Sequence, residues 1–232
     1  MKVALAQIRS IPGDVQKNID NHIRWIDLAF AKKADLIIFP ELSLTAYEPE
    51  LSKELSIKID DNRLKVFDNL STQYNMLIGL GAPLRQEEGV SISTLFFHPS
   101  EGRQVYSKQM LHEDEKAFFI ERKDMTIIDF KDQRIAPAIC YEALQEDHLR
   151  KAMDSKAVLY LASVAKHEDG VNEAVEYFNR MYRKYSVSIA MVNAIGPNDG
   201  FISSGGSSVW HKEKGLISQM NYEEECLMSL DL

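Results

Sequence analysis

Lys2-Val3-Ala4-Leu5-Ala6-Gln7-Ile8 is a short apolar run, and Asp35-Leu36-Ile37-Ile38-Phe39 is a second. Runs of this length read as buried strands. Between them Ile19, Ile23, Ile26 and Phe30 recur at i, i+4, i+7 and i+11, which is one face of a helix, and Asp14 is placed to cap its start. Pro40 stops the second strand. Leu64, Phe67, Leu70 and Tyr74 mark a second helix introduced by Asp60 and Asp61, and Met76 to Leu80 reads as a third strand. Short strands alternating with helices make this an α/β chain.

The middle of the chain changes character. Ser91 to Phe97, Gln104 to Ser107, Met125 to Phe130 and Arg134 to Cys140 read as strands joined by polar turns such as His98-Pro99-Ser100-Glu101-Gly102, and these predict antiparallel hairpins. Helical patterns return at Asp147 to Met153 and Val171 to Tyr185, followed by apolar strands at Ala157 to Ala162 and Ser188 to Asn193. From Phe201 to Leu232 the tail is strand-like, with glycine-rich turns. A mixed sheet system with helices outside fits this order. Periodicity leaves open whether there is one sheet or two stacked sheets.

Composition narrows the function. The 232 residues are 45% apolar and carry 27 Lys+Arg against 35 Asp+Glu, a formal charge of −8. That is globular composition, and no Pro/Ser-rich linker divides it, so residues 1–232 read as a single domain. An acidic pI of about 5.3 argues against a nucleic-acid partner, which needs a basic face. No run approaches the ~18 apolar residues of a membrane span, and the N-terminal run is too short for a signal peptide. Two cysteines, Cys140 and Cys226, do not make a disulfide framework, so a reducing cytoplasm is expected. No cofactor or metal is expected. The six histidines have no zinc-like spacing, Gly79-Leu80-Gly81 lacks the third glycine of a dinucleotide loop and reads as a strand-end turn, and no Gly-Lys-Ser/Thr follows Gly205-Gly206-Ser207-Ser208.

Three strands end on a reactive side chain: Phe39-Pro40-Glu41, Tyr106-Ser107-Lys108 and Ile139-Cys140-Tyr141-Glu142. Strand ends in layered α/β proteins are where sites gather. Taken singly, each has a plain alternative: a carboxylate in a first helical turn, a solvated lysine, a small core cysteine. Together and in this order they are far more specific.

Phe39-Pro40-Glu41-Leu42-Ser43-Leu44-Thr45-Ala46-Tyr47, Tyr106-Ser107-Lys108-Gln109-Met110-Leu111 and Ile139-Cys140-Tyr141-Glu142 resemble the three catalytic blocks of the nitrilase superfamily, the carbon–nitrogen hydrolases. The resemblance runs from Val3-Ala4-Leu5-Ala6-Gln7 to Val192-Asn193-Ala194-Ile195-Gly196 and Gly205-Gly206-Ser207-Ser208. It implies a four-layer α-β-β-α sandwich of two stacked mixed sheets with helices outside. It also implies a Glu41–Lys108–Cys140 triad, a further glutamate at Glu115, and a homodimer. Glu115 sits in the acidic run Glu113-Asp114-Glu115, where a solvated side chain is the competing reading. The chain departs from the family pattern at Ala46, where glycine is usual. It departs again at Glu142-Ala143-Leu144-Gln145-Glu146, which lacks the usual Arg and Pro. Where relatives carry an aromatic after the next strand, this chain has Ser163-Val164-Ala165-Lys166-His167.

The chemistry of such a trio can be reasoned independently. A thiol attacks an amide or nitrile carbon only as thiolate. Moving its proton to a carboxylate at reference pKa values of about 8.5 and 4.3 costs about 5.7 kcal/mol, so the site must bring the two values together. Glu41 is the expected base. Lys108 is the expected cation for thiolate and oxyanion, with the Tyr141 N–H as second donor. Glu142 and Lys166 complete the expected substrate contacts. The function predicted is hydrolysis of a small-molecule amide, a simple amide or an ω-amide, through a Cys140 thioester. The competing readings are a degenerate ligand-binding protein of the same fold and a thiol redox sensor, the latter weakened by the absence of an adjacent resolving cysteine.

Overall fold

The computed structural model describes residues 1–232. The first half of the chain supplies β1 (Lys2–Gln7), α1 (Val15–Ala31), β2 (Leu36–Ile38), a short α2 (Ser52–Leu55), α3 (Lys65–Tyr74), β3 (Leu77–Arg85), β4 (Val90–His98) and β5 (Gly102–Ser107). The second supplies β6 (Ile128–Phe130), β7 (Gln133–Ile139), α4 (Glu146–Asp154), β8 (Leu159–Val164), α5 (Glu168–Tyr185) and β9 (Ser188–Asn193). The tail adds β10 (Ile195–Asn198), β11 (Phe201–Ser204), β12 (Ser208–His211), β13 (Gly215–Gln219) and β14 (Cys226–Asp231).

Two six-stranded sheets result, in the orders β14-β1-β2-β3-β4-β5 and β13-β12-β9-β8-β7-β6, while β10 and β11 pair separately. Each is mixed. β1, β2 and β3 are parallel, as are β7, β8 and β9, with antiparallel strands flanking both trios.

Period-two alternation along the strands creates the layers. Val3 and Leu5 of β1, Leu159 and Leu161 of β8, and Ile135 and Ile139 of β7 share one core between the sheets. The alternate residues face outward. Ala4 and Ala6 pack with Ile19, Ile26 and Phe67 of α1 and α3, and Ala136, Tyr160 and Ala162 pack with Leu149, Val171 and Phe178 of α4 and α5. The order is therefore helix, sheet, sheet, helix. Asp14 caps α1 by accepting from the Lys17 N–H at 3.1 Å. No helix is long and apolar enough to cross a membrane.

Several sequence expectations need correction. The four mid-chain strands do form antiparallel pairs, β4 with β5 and β6 with β7, but the two hairpins lie in different sheets. β4 and β5 belong to the first sheet and β6 and β7 to the second, so residues 108–127 cross between them. The strand expected from Met125 starts at Ile128. Gly79-Leu80-Gly81 is no turn but the interior of β3. Phe30 is not buried with its helical neighbours; it is 47% exposed and stacks on Tyr74 with ring centroids 4.0 Å apart.

Candidate active site

Glu41 follows β2 on a tight turn whose Leu42 has φ +51°. The turn lies directly on β3. A Cβ at Gly81 would fall 2.3 Å from the Leu42 nitrogen and 2.4 Å from the Pro40 oxygen, so only glycine lets the backbones approach this closely. The Leu44 N–H donates to the Gly81 carbonyl at 2.9 Å and the Gly81 N–H donates to Ser43 Oγ at 3.1 Å. Ser43 Oγ also bonds His22 Nε2 at 2.9 Å, and His22 Nδ1 lies 2.6 Å from the Asn18 carbonyl. Burial pushes the His22 imidazole down to about 4, so a neutral ring completes this support.

Lys108 leaves the end of β5, and its N–H donates to the Ile92 carbonyl at 2.9 Å. Its side chain is fully buried. Nζ lies 2.9 Å from Glu41 Oε1 and 2.6 Å from Glu115 Oε1. Burial opposes the ammonium, but the charges of Glu41 and Glu115 outweigh it and raise the Lys108 pKa. Two of the three ammonium donors are thereby occupied and one is left.

Glu115 sits in the 3-10 turn Glu113–Ala117 and is 2% exposed. The solvated reading of this residue is therefore wrong. Its Oε2 accepts from the His112 N–H at 2.7 Å, and Tyr47 donates its hydroxyl to Oε1 at 3.2 Å. The sequence reading gave Tyr47 no role, although an aromatic with a polar tip six residues after Glu41 was a usable signal.

Cys140 follows β7 at φ +47°, a left-handed conformation that turns its side chain sharply off the strand. Burial and then the Glu41 charge push the thiol up to about 11, against the opposing pull of Lys166 and Lys108. Glu41 is itself raised, chiefly by burial, while Lys108 and the nearby Cys140 thiol favour its ionised form. Its second oxygen, Oε2, is buried with no hydrogen-bond partner. The resting site thus holds a protonated thiol beside a carboxylate with an open acceptor, and the two pKa values are displaced in the same direction by the same dry surroundings.

Cys140 and Glu115 line a pocket of about 760 Å³, with Tyr47, Phe118, Tyr141 and Lys166 among its walls. Glu41 and Lys108 are buried beside Cys140. Lys166 is held by Asn193, which accepts from the Lys166 N–H at 2.8 Å and donates to its carbonyl at 3.0 Å. Glu142 is where sequence reasoning misplaced a side chain. It is fully buried, does not line the pocket and spends both oxygens on Tyr106, Ile139, Gln109 and Met110. Its acceptors are engaged inside the protein rather than turned to the pocket.

The family model described as carbon–nitrogen hydrolase matches residues 2–231. The chain belongs to the carbon–nitrogen hydrolase family. Membership makes it a hydrolase acting on carbon–nitrogen bonds and leaves the substrate open. Among solved structures, the amidase from Nesterenkonia sp. AN1, in a form with acrylamide added at its active-site cysteine, superposes with a TM-score of 0.91 at 21% identity, covering 100% of this chain and 93% of that one. A second structure of that amidase is described as from the nitrilase superfamily, with a TM-score of 0.89. The glutamine-dependent NAD+ synthetase from Acinetobacter baumannii gives 0.87 at 21% identity, covering 98% of this chain but 44% of that one. In sequence, the glutamine-dependent NAD(+) synthetase of Thermotoga maritima is 23% identical over 242 residues, covering all of this chain and 42% of the relative. That of Synechocystis is 24% identical over 260 residues, covering 99% and 46%. The chain spans less than half the length of these curated relatives.

Proposed function

We propose that this hydrolase cleaves the carbon–nitrogen bond of a small amide through a thioester on Cys140, releasing ammonia or an amine and a carboxylic acid. The observation that carries this is the Lys108 ammonium bonded to both Glu41 and Glu115 beside the pocket cysteine. Glu41 Oε2 accepts the thiol proton as sulfur bonds to the carbonyl carbon. The resulting oxyanion is held by the third Lys108 donor and the Tyr141 N–H, which lies at the start of the 3-10 turn Cys140–Leu144. Glu41 returns the proton to nitrogen, the C–N bond breaks and the amine departs. Water then gives a proton to Glu41 as its oxygen attacks the thioester. The acid leaves, and the proton returns to sulfur. Such acid–base help contributes about 10²–10⁴-fold. Glu115 fixes Lys108 throughout.

An ω-amide of an amino acid is the favoured substrate within this class. Lys166, Asp169, Glu173 and Arg180 all line the pocket, and none of the four is in an ion pair. Unpaired charges of both signs suit a zwitterion. The curated relatives are also named glutamine-dependent. A cytoplasmic homodimer belongs to the same proposal, testable by sedimentation.

The experiment is intact-mass measurement after mixing with glutamine, asparagine and simple aliphatic amides, alongside ammonia release. An acyl adduct on Cys140 that is absent in Cys140→Ala is expected. Turnover by Cys140→Ala at the parent rate eliminates the proposal.

A further inference from the structure

Glu142 takes no part in the steps above, yet its carboxylate accepts four hydrogen bonds in the interior. Oε2 accepts from the backbone N–H groups of Gln109 at 2.6 Å and Met110 at 3.1 Å, the two residues that follow Lys108. Oε1 accepts from the N–H of Ile139 at 2.9 Å, the residue that precedes Cys140. It also accepts from the Tyr106 hydroxyl at 2.5 Å, two residues before Lys108. One carboxylate therefore ties the chain on both sides of the lysine to the chain entering the cysteine turn. These segments come from different sheets, at the end of β5 and the end of β7.

We propose that Glu142 is a positioning residue that clamps the Lys108 and Cys140 segments together and so sets the spacing between ammonium and sulfur.

The donors behind it run in one consistent direction. Tyr106 gives its proton to Glu142, so its oxygen accepts from His148 Nε2 at 2.7 Å. His148 Nδ1 then accepts from the Tyr160 hydroxyl at 2.7 Å. This requires a neutral imidazole, and burial pushes His148 down to about 4. The relay uses buried aromatic side chains of β5 and β8 together with α4, so the clamp is anchored in packed elements rather than in a loop.

Glu142→Gln tests it, because an amide keeps the shape but replaces one acceptor oxygen with donors. Turned either way, its NH₂ meets at least one backbone N–H, since Oε2 faces Gln109 and Met110 and Oε1 faces Ile139. The readout is the rate of Cys140 alkylation by iodoacetamide at pH 8. Cys226 on β14 of the other sheet serves as internal reference. The expected result is at least a tenfold fall at Cys140 with Cys226 within twofold of the parent. For amide turnover, kcat falls at least tenfold and KM stays within twofold. The turnover arm rests on the hydrolase reading, whereas alkylation needs no substrate. A parent that releases no ammonia therefore defeats that reading and leaves the clamp test standing. Tyr106→Phe, which removes one donor and keeps the ring, is expected to lower Cys140 alkylation about threefold and decides the matter if Glu142→Gln does not fold. Parent-like ratios of Cys140 to Cys226 alkylation in every variant that folds overturn the proposal.

Discussion

Lys108 Nζ lies 2.6 Å from Glu115 Oε1, the shorter of its two carboxylate contacts, and neither partner meets solvent to any useful extent. A cation shared by two buried carboxylates is what allows both to sit in a dry site. Without it, like charges at this range cannot both ionise.

The first prediction follows from that dependence. Lys108→Met should destabilise the fold by about 3–5 kcal/mol near neutral pH, the usual cost of leaving a buried charge unpaired. Burial already raises the Glu41 pKa, and the variant loses the ammonium that opposes that shift, so its folded value stands above its unfolded one. The protonated form is then favoured by folding, so stability is present at low pH and lost as pH rises through the folded value. The gap between parent and variant should therefore be smaller at pH 4 than at pH 8 in urea unfolding. Amide turnover should fall at least 100-fold, the scale of one lost oxyanion donor. A pH-independent gap would contradict the shared-cation account.

Much of this site was legible before any coordinates. Glu41, Lys108 and Cys140 each stand one or two residues beyond an apolar run, and a strand end is visible in a sequence. The direction of a side chain after the strand is not. Glu142 lies two residues past Cys140, and no periodicity told that the turn at Cys140, with φ +47°, would aim it inward. Two sheets rather than one were equally hidden, because the crossing from β5 to β6 passes through 108–127, a stretch with no regular apolar period. Gly81 misled for a related reason. Glycine signals a turn or a close backbone approach with equal force, and only the packed Glu41 loop decides which.

That close approach yields the second prediction. Gly81→Ala must move either Pro40 or Leu42, both backbone and both beside Glu41. A cost of about 1–3 kcal/mol is expected from overpacking. The larger effect should be on kcat, since misplacing a catalytic group by about 1 Å costs on the order of 100-fold. Gly102→Ala is the control. It has φ +75° but nothing within 4 Å of an added Cβ, so it should lose about 1 kcal/mol or more through strain alone and keep its turnover. Thermal unfolding and ammonia release on the two variants separate these outcomes.

A third prediction concerns the two buried imidazoles. His22 and His148 are both pushed down to about 4 by burial. Their ring protons in NMR spectra should hold neutral-form shifts from pH 8 to pH 5 and move only near pH 4. The sign follows from desolvation of the charged form, since a folded value below the unfolded one means the unfolded chain takes up the proton first. Each ring therefore contributes stability that is complete above about pH 6.5 and lost as pH falls towards 4. A midpoint near 6.5 for either ring would show it to be solvated rather than holding Ser43 or Tyr106.

The last prediction separates thiol acidity from catalysis. The Cys140 thiol is pushed up to about 11 by burial and by the Glu41 charge, so its alkylation should keep accelerating with pH well beyond 9 instead of levelling there. Glu41→Gln removes a negative neighbour and leaves Lys108 and Lys166 in place. The thiol pKa should then drop, and alkylation by iodoacetamide at pH 8 should speed up several-fold. Amide turnover should move the opposite way and fall at least 100-fold, because the group that receives the thiol proton and delivers it to the leaving nitrogen is gone. A more reactive sulfur in a less active enzyme is the expected signature of Glu41 acting as the proton carrier. If alkylation and turnover instead fell together, Glu41 would be holding the thiol in place, and the proton would have to travel by another residue.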